Sequence, residues 1–243
     1  MLRIGLFETG KVPDSLRARH GDYPAMFRAM FARAAPEAQF VVVRTCEGEQ
    51  PADLRDADGW VITGSRHGVY DDLSWIAPFR DTLRRCRDAG VPLAGICFGH
   101  QIMAEAFGGR ADKAPQGWGL GLQHYRYVAR PGWMGAVGEG FDALAIHQDQ
   151  VSAQPPGTTL LAASAHCPIA ALAYGDPERP EALSVQAHPE FTPAFLDDLM
   201  VERRGKALPA DLVDAARESL SRPVAGADWA GWIADLFRAR QRG

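Results

Sequence analysis

The stretch Gly95-Ile96-Cys97-Phe98-Gly99 sets a thiol between two glycines, after an apolar run and before what reads as a helix. This Gly-x-Cys-x-Gly pattern is the cysteine form of a nucleophile elbow, a sharp strand-to-helix turn that lifts the side chain clear of the sheet. The flanking glycines let strand and helix approach closely. The helix, read from Phe98 to Phe107 and ended by Gly108-Gly109, aims its N-terminal dipole at the sulfur and favours thiolate. The backbone N–H of Phe98 points to the same place and can donate to an oxyanion. Cys46, Cys86 and Cys167 stand in no such turn and read as packing residues. Cys97 with His100 supplies only two metal ligands, with no second pair at a recognisable spacing, so no metal is expected.

A thiolate that transfers acyl groups needs a base, and the base needs an orienter. His188-Pro189-Glu190 follows a strand and supplies both within three residues. Proline fixes its own φ and keeps His188 out of the helical region, so the turn is stiff. His147 and His166 are competing bases, but neither has a carboxylate beside it in so rigid a turn.

The elements around these residues follow from periodicity. Residues 3–7, 40–44, 59–64 and 91–96 are short β-rich runs, the last leading straight into Cys97. Asp22 caps a helix over 23–35, with Phe27, Met30, Phe31 and Ala34 at helical spacing. Asp72 precedes a second helix to about Ala89, striped by Trp75, Phe79, Leu83 and Cys86 and stopped by Gly90 and Pro92. Alternating strands and helices imply a parallel sheet covered on both faces. After Gly109 the runs 119–129, 140–151, 158–164, 169–175 and 181–188 read as strands of a β-rich half that rejoins the sheet. From Thr192 onward the pattern is helical. Trp229, Trp232, Ile233, Leu236 and Phe237 form an amphipathic stripe expected to dock on the chain's own core. The expected fold is α/β: a flavodoxin-like doubly wound, mostly parallel sheet with flanking helices. One domain is expected over 1–243, its core at about 1–195 and a helical extension at about 196–243.

Composition narrows the function classes. With 47% apolar and 23% charged residues the chain reads as an ordinary soluble protein. Its net charge of −4 provides no basic face for nucleic acid. The basic groups Arg203, Arg204, Lys206 and Arg238, Arg240, Arg242 are short and read as solvated helix faces. No apolar run approaches the ~18 residues of a membrane span. Four scattered cysteines favour free thiols and a cytoplasmic setting.

Residues 95–109, residues 61–72 (VITGSRHGVYDD) and residues 186–191 (QAHPEF) together resemble the class I, or triad, glutamine amidotransferases, in order and in spacing over about residues 40–195. The likeness is to a free-standing glutaminase domain like that of GMP synthase, and also to plant γ-glutamyl peptidases. It implies a Cys97–His188–Glu190 triad in which the thiolate attacks a γ-glutamyl amide and a γ-glutamyl thioester forms. Ammonia leaves and water releases glutamate. It implies no cofactor. It places a second oxyanion donor at the backbone N–H of Ser65, where the family pattern has glycine and where serine would be strained if φ were positive. It puts Gln101 near the bound substrate and the backbone of Gln148, Asp149 and Gln150 at its α-amino and α-carboxylate ends. The leading expectation is an amidotransferase that hydrolyses the γ-amide of glutamine and hands ammonia to a separate synthase subunit; the alternative is a stand-alone γ-glutamyl peptidase using the same triad. A third reading, a non-catalytic or redox-sensing cysteine-elbow protein, often has His directly after the cysteine; here Phe98 stands there.

Overall fold

The computed structural model describes residues 1–240, so Arg242 of the second basic group lies outside the described residues. In chain order the elements are β1 (Arg3–Phe7), α1 (Asp14–His20), α2 (Tyr23–Phe31), β2 (Gln39–Val43), β3 (Gly59–Ile62), α3 (Ile76–Asp88), β4 (Leu93–Ile96) and α4 (Phe98–Ala106). There follow β5 (Arg110–Lys113), β6 (Gly119–Tyr127), β7 (Gly140–His147), β8 (Asp149–Ala153), β9 (Thr158–Ala163), β10 (Ala171–Asp176) and β11 (Arg179–Val185). Three helices close the chain: α5 (Pro193–Arg203), α6 (Ala210–Ser219) and α7 (Trp229–Arg240).

Nine strands form one sheet in the order β2-β1-β3-β4-β11-β10-β9-β6-β7. From β2 to β11 neighbours run parallel, and the rest extend the sheet antiparallel. This is the α/β sheet expected from the alternating first half and the β-rich second half. Three adjacent parallel strands, β3, β4 and β11, end side by side, with Ile62 opposite Gly95 and Ile96 opposite Val185. Their carboxyl ends are where open α/β sheets place a site.

Several expectations shift locally. Asp22 does cap α2, accepting from the Ala25 N–H at 2.8 Å. Asp72 does not cap α3, which starts four residues later at Ile76. The intervening residues are drawn into a loop, in which Asp71 accepts from the Gly68 N–H at 3.1 Å. The run 140–151 is not one strand. It breaks at Gln148, where β7 leaves the main sheet and β8 turns to pair with β5 in a separate two-stranded ladder. Alternation cannot show this break, because both strands are apolar on one face.

The amphipathic stripe of α7 docks on the chain's own core. Trp229, Trp232, Ile233 and Phe237 are buried and Leu236 is half-buried. Phe237 lies so close to Gly59 that a Cβ there would sit 2.2 Å from its ring. Arg204 pairs with Asp214, and Arg238 pairs with Glu37 and Asp235, as befits solvated faces. Among the described residues no helix is long and apolar enough to cross a membrane.

Candidate active site

Cys97 sits between β4 and α4 with φ 53° and ψ −103°. Among the described residues it alone, apart from glycines, has a positive φ. Such a conformation costs on the order of 1–3 kcal/mol and persists because its surroundings impose it. The turn is held from both sides: the Cys97 N–H donates to Val185 at 2.9 Å, and its carbonyl accepts from the Gln101 N–H at 3.1 Å. The two glycines have a measurable reason. A Cβ at Gly99 would meet the Ile62 carbonyl at 2.5 Å, and one at Gly95 would meet the Gly99 backbone at 2.5 Å. Strand and helix are in backbone contact, which leaves the sulfur at the first turn of α4.

His188 follows β11, and its N–H donates to the Leu144 carbonyl of β7 at 2.8 Å. Its Nδ1 lies 2.7 Å from Glu190 Oε1, with both side chains buried. The Cys97 sulfur lies close enough to act electrostatically on the ring. Phe191 stacks on the imidazole at 3.9 Å between centroids and 8° between planes. Cys97, His188 and Glu190 are thus brought to one place. Burial alone would push the imidazole's pKa down. The Glu190 carboxylate and its hydrogen bond, with the nearby Cys97 sulfur, overcome that and raise it to about 10.

The loop after β3 closes the other side. A Cβ on Gly64 would stand 2.8 Å from His188 Cε1 and 3.8 Å from Cys97 Cβ, so the loop backbone abuts both. Ser65 has no positive φ, so serine in place of the family's glycine carries no left-handed strain. Among the described residues, neither the Ser65 N–H nor the Phe98 N–H donates to another backbone group. Thr9 fixes this loop from β1, its N–H donating to Thr63 Oγ1 at 3.0 Å and its hydroxyl to the Thr63 carbonyl at 2.8 Å. Thr9 and Phe191 carry no sequence signal of their own, since each acts through a partner dozens of residues away or through ring stacking.

Gln101 and the 148–150 segment also meet. Gln101 Nε2 donates to the Asp149 carbonyl at 2.8 Å and to Gln186 Oε1 at 3.2 Å. The Gln148 carbonyl accepts from the Ala114 N–H at 3.0 Å. The carbonyls of 148 and 149 thus each already accept one hydrogen bond from the protein. Tyr70, reaching from the loop after β3, donates to Asp149 Oδ2 at 3.0 Å and ties the two rims together. Beyond Asp149 stand buried polar atoms without partners among the described residues: both ring nitrogens of His147, Nε2 of His166 and Nε2 of Gln150.

The other candidate thiols and imidazoles are differently placed. Burial pushes Cys86 and Cys167 up to about 12, and raises Cys46 as well. His100 is a core residue, its Nδ1 2.7 Å from Ser184 Oγ and its Nε2 donating to the Ile169 carbonyl at 2.9 Å. The carbonyl can only accept, which assigns the proton to Nε2. Burial lowers His100 to about 4 and keeps it neutral. Among the described residues no three His, Cys, Asp or Glu side chains are grouped to hold a metal ion.

The sequence matches the family Glutamine amidotransferase class-I over residues 27–207. The chain belongs to the class-I glutamine amidotransferase family. Among curated relatives of this amidotransferase-family chain, γ-glutamyl peptidase 3 of Arabidopsis thaliana is 30% identical, over 90% of this chain and 89% of that protein. γ-Glutamyl peptidase 5 of the same plant is 29% identical over 90% and 88%. The glutamine-hydrolysing GMP synthase of Burkholderia mallei is 31% identical over 75% of this chain but 34% of its own length. In fold, the chain is similar to a glutamine amidotransferase from Thermotoga maritima, with a TM-score of 0.69, 16% identity and coverage of 100% and 99%. A glutamine amidotransferase from Methylobacillus flagellatus gives a TM-score of 0.70 at 21% identity, covering 98% and 94%.

Proposed function

We propose that this amidotransferase-family chain hydrolyses γ-glutamyl amides through a cysteinyl thioester, with Cys97 as nucleophile, His188 as acid and base, and Glu190 as orienter. The observation that carries the proposal is the buried His188–Glu190 pair at 2.7 Å standing beside Cys97, with the Gly64 backbone abutting both His188 and Cys97. The Cys97 thiolate attacks the γ-carbonyl carbon, and the carbonyl electrons move to oxygen. The N–H groups of Phe98 and Ser65 receive that oxyanion. His188 gives its proton to the leaving nitrogen as the C–N bond breaks, leaving the thioester. Water then loses a proton to His188, attacks the same carbon, and displaces the thiolate as glutamate forms. Glu190 keeps the proton of Nδ1 in place and stabilises the imidazolium.

The leaving group is read as an amino acid or peptide amine. Likeness to γ-glutamyl peptidases over about nine-tenths of both chains supports this. The second reading is glutamine hydrolysis with ammonia passed to a separate synthase subunit. It is favoured by the family match itself and by the likeness to GMP synthase. A small γ-glutamyl substrate needs no cofactor in either case. Purified protein offered free glutamine and γ-glutamyl dipeptides side by side, with products identified, tests both. Cleavage of the dipeptides is expected. Glutamine hydrolysis alone would select the second reading. Inertness toward both, with Cys97 still alkylated by iodoacetamide, would leave the redox reading standing.

A further inference from the structure

Two buried carboxamides run from the substrate rim to the sulfur. Gln186, between β11 and His188, donates from Nε2 to Cys97 Sγ at 3.6 Å, a normal length for sulfur as acceptor. Its Oε1 accepts from Gln101 Nε2 at 3.2 Å, and the same Gln101 nitrogen donates to the Asp149 carbonyl at 2.8 Å. Both side chains are buried, Gln186 fully so. We propose that Gln186 is a thiolate-stabilising residue of the site, and that Gln101 is a positioning residue that fixes which end of the Gln186 amide faces the sulfur.

The orientation follows by elimination along the chain. The Asp149 carbonyl can only accept, so Gln101 must present nitrogen to it. That nitrogen's second hydrogen points at Gln186, which must therefore answer with oxygen. Oxygen toward Gln101 leaves nitrogen toward Cys97. A flipped Gln186 would set two donors against each other and an amide oxygen against the thiolate. The direction of the donor at the sulfur is thus decided at a backbone carbonyl on β8, beside the substrate rim.

The charges around the sulfur make this donor matter. His188, backed by Glu190, supplies the ionised partner. Tyr23 on α2, Tyr125 on β6 and Cys167 in the loop before β10 also feel the sulfur's charge. Burial holds all three neutral, Cys167 up to about 12 and the tyrosines higher still. A neutral donor aimed at the sulfur therefore acts on it without competing charge from these groups.

The inference rests on Cys97 as the nucleophile, but its test reads thiol chemistry and needs no substrate. The rate of Cys97 alkylation by iodoacetamide is followed across pH in the wild type, Gln186→Met, Gln101→Met and the double variant. Losing one hydrogen bond to a charged acceptor lowers the thiolate fraction about tenfold on the acid side of the profile. The thiolate that remains is more nucleophilic, with a Brønsted coefficient of ~0.4–0.5. Gln186→Met should thus react about threefold slower on the acid side and about threefold faster on the alkaline plateau, so the two curves cross. A general loosening of the site shifts a whole curve one way and produces no crossing. Gln101→Met should move the profile in the same direction by less, because the Gln186 amide is then free to flip. The double variant should match Gln186→Met, not the product of the two changes. A Gln186→Met profile that overlays the wild type, or is displaced one way without crossing, overturns the proposal. So does a Gln101→Met profile identical to wild type in folded protein, which keeps the test open should Gln186→Met fail to fold. Absence of preferential Cys97 labelling in the wild type would instead overturn the nucleophile assignment beneath it.

Discussion

His188 and His147 are buried to the same degree, each about 4% exposed, and stand at one end of the same sheet. His147 ends β7, three residues past the Leu144 whose carbonyl receives the His188 N–H. Burial penalises a charge on either ring. The outcomes are opposite. Glu190 and the nearby Cys97 sulfur raise His188 to about 10 against that penalty. His147 meets no carboxylate of its own. Burial, with the neighbouring His166 and His188, lowers it to about 3. One ring is therefore held protonated and the other neutral. What separates the proposed base from its neighbour is the two-residue reach to Glu190, not depth.

The comparison breaks most visibly in turnover of a γ-glutamyl substrate. His188→Ala should lower kcat about 10³-fold, since the leaving nitrogen then lacks its acid. His147→Ala should keep kcat within about tenfold of wild type and act mainly through KM, as the loss of one lining hydrogen-bond group does. Comparable losses in kcat for the two variants would refute the division of roles.

A smaller loss should follow from Gly64→Ala. Its Cβ would enter within 2.8 Å of His188 Cε1, so the ring or the oxyanion loop must move. Displacements near 1 Å in such sites cost about 10²-fold in rate. Wild-type kcat in this variant would show that the loop after β3 is not in register with the base.

Glu190→Gln should be milder still in kcat, because an amide can hold the ring while no longer balancing its charge. Its sharper signature lies in stability against pH. The folded value of His188, about 10, is above its ordinary 6.5, so its contribution is full below pH 6.5 and is lost as pH rises toward 10. Urea midpoints of the wild type should fall across that window, and Glu190→Gln should flatten the fall. An unchanged slope would mean that Glu190 does not set the imidazolium.

The smallest effect concerns the acid limb. His147 lies below 6.5 when folded, at about 3, so it destabilises the fold as pH drops through that interval. His147→Phe should flatten this limb and leave the alkaline one alone. If it flattened the alkaline limb instead, the two rings would have been assigned in reverse.

The nucleophile turn and the His-Pro-Glu turn were legible because each is written within five residues, and local sterics do most of the work there. Helix α3 was legible from its stripe but not in its start: it begins at Ile76, four residues past Asp72, after Trp75, with no side-chain cap to mark it. The break at Gln148 was not legible. β7 and β8 differ only in which strand each pairs with, and those partners, β6 and β5, are set by the sheet as a whole. Helix α1 escaped notice because it buries none of its residues and so leaves no apolar stripe.

By itself the sequence determined that a cysteine would stand in a sharp turn at the head of a helix, and that a stiff turn elsewhere would carry imidazole and carboxylate. Backbone conformation at such short motifs follows from neighbours in the chain. The tertiary structure alone decided that β3, β4 and β11 lie adjacent, so that the loop after β3, Cys97 and His188 converge. It alone decided which histidine holds a proton, and which atom of Gln186 meets the sulfur. Those depend on fields and hydrogen bonds between groups far apart in sequence, such as Gln101 and the Asp149 carbonyl 48 residues on. No local pattern encodes a partner that only the closed sheet brings within 3 Å.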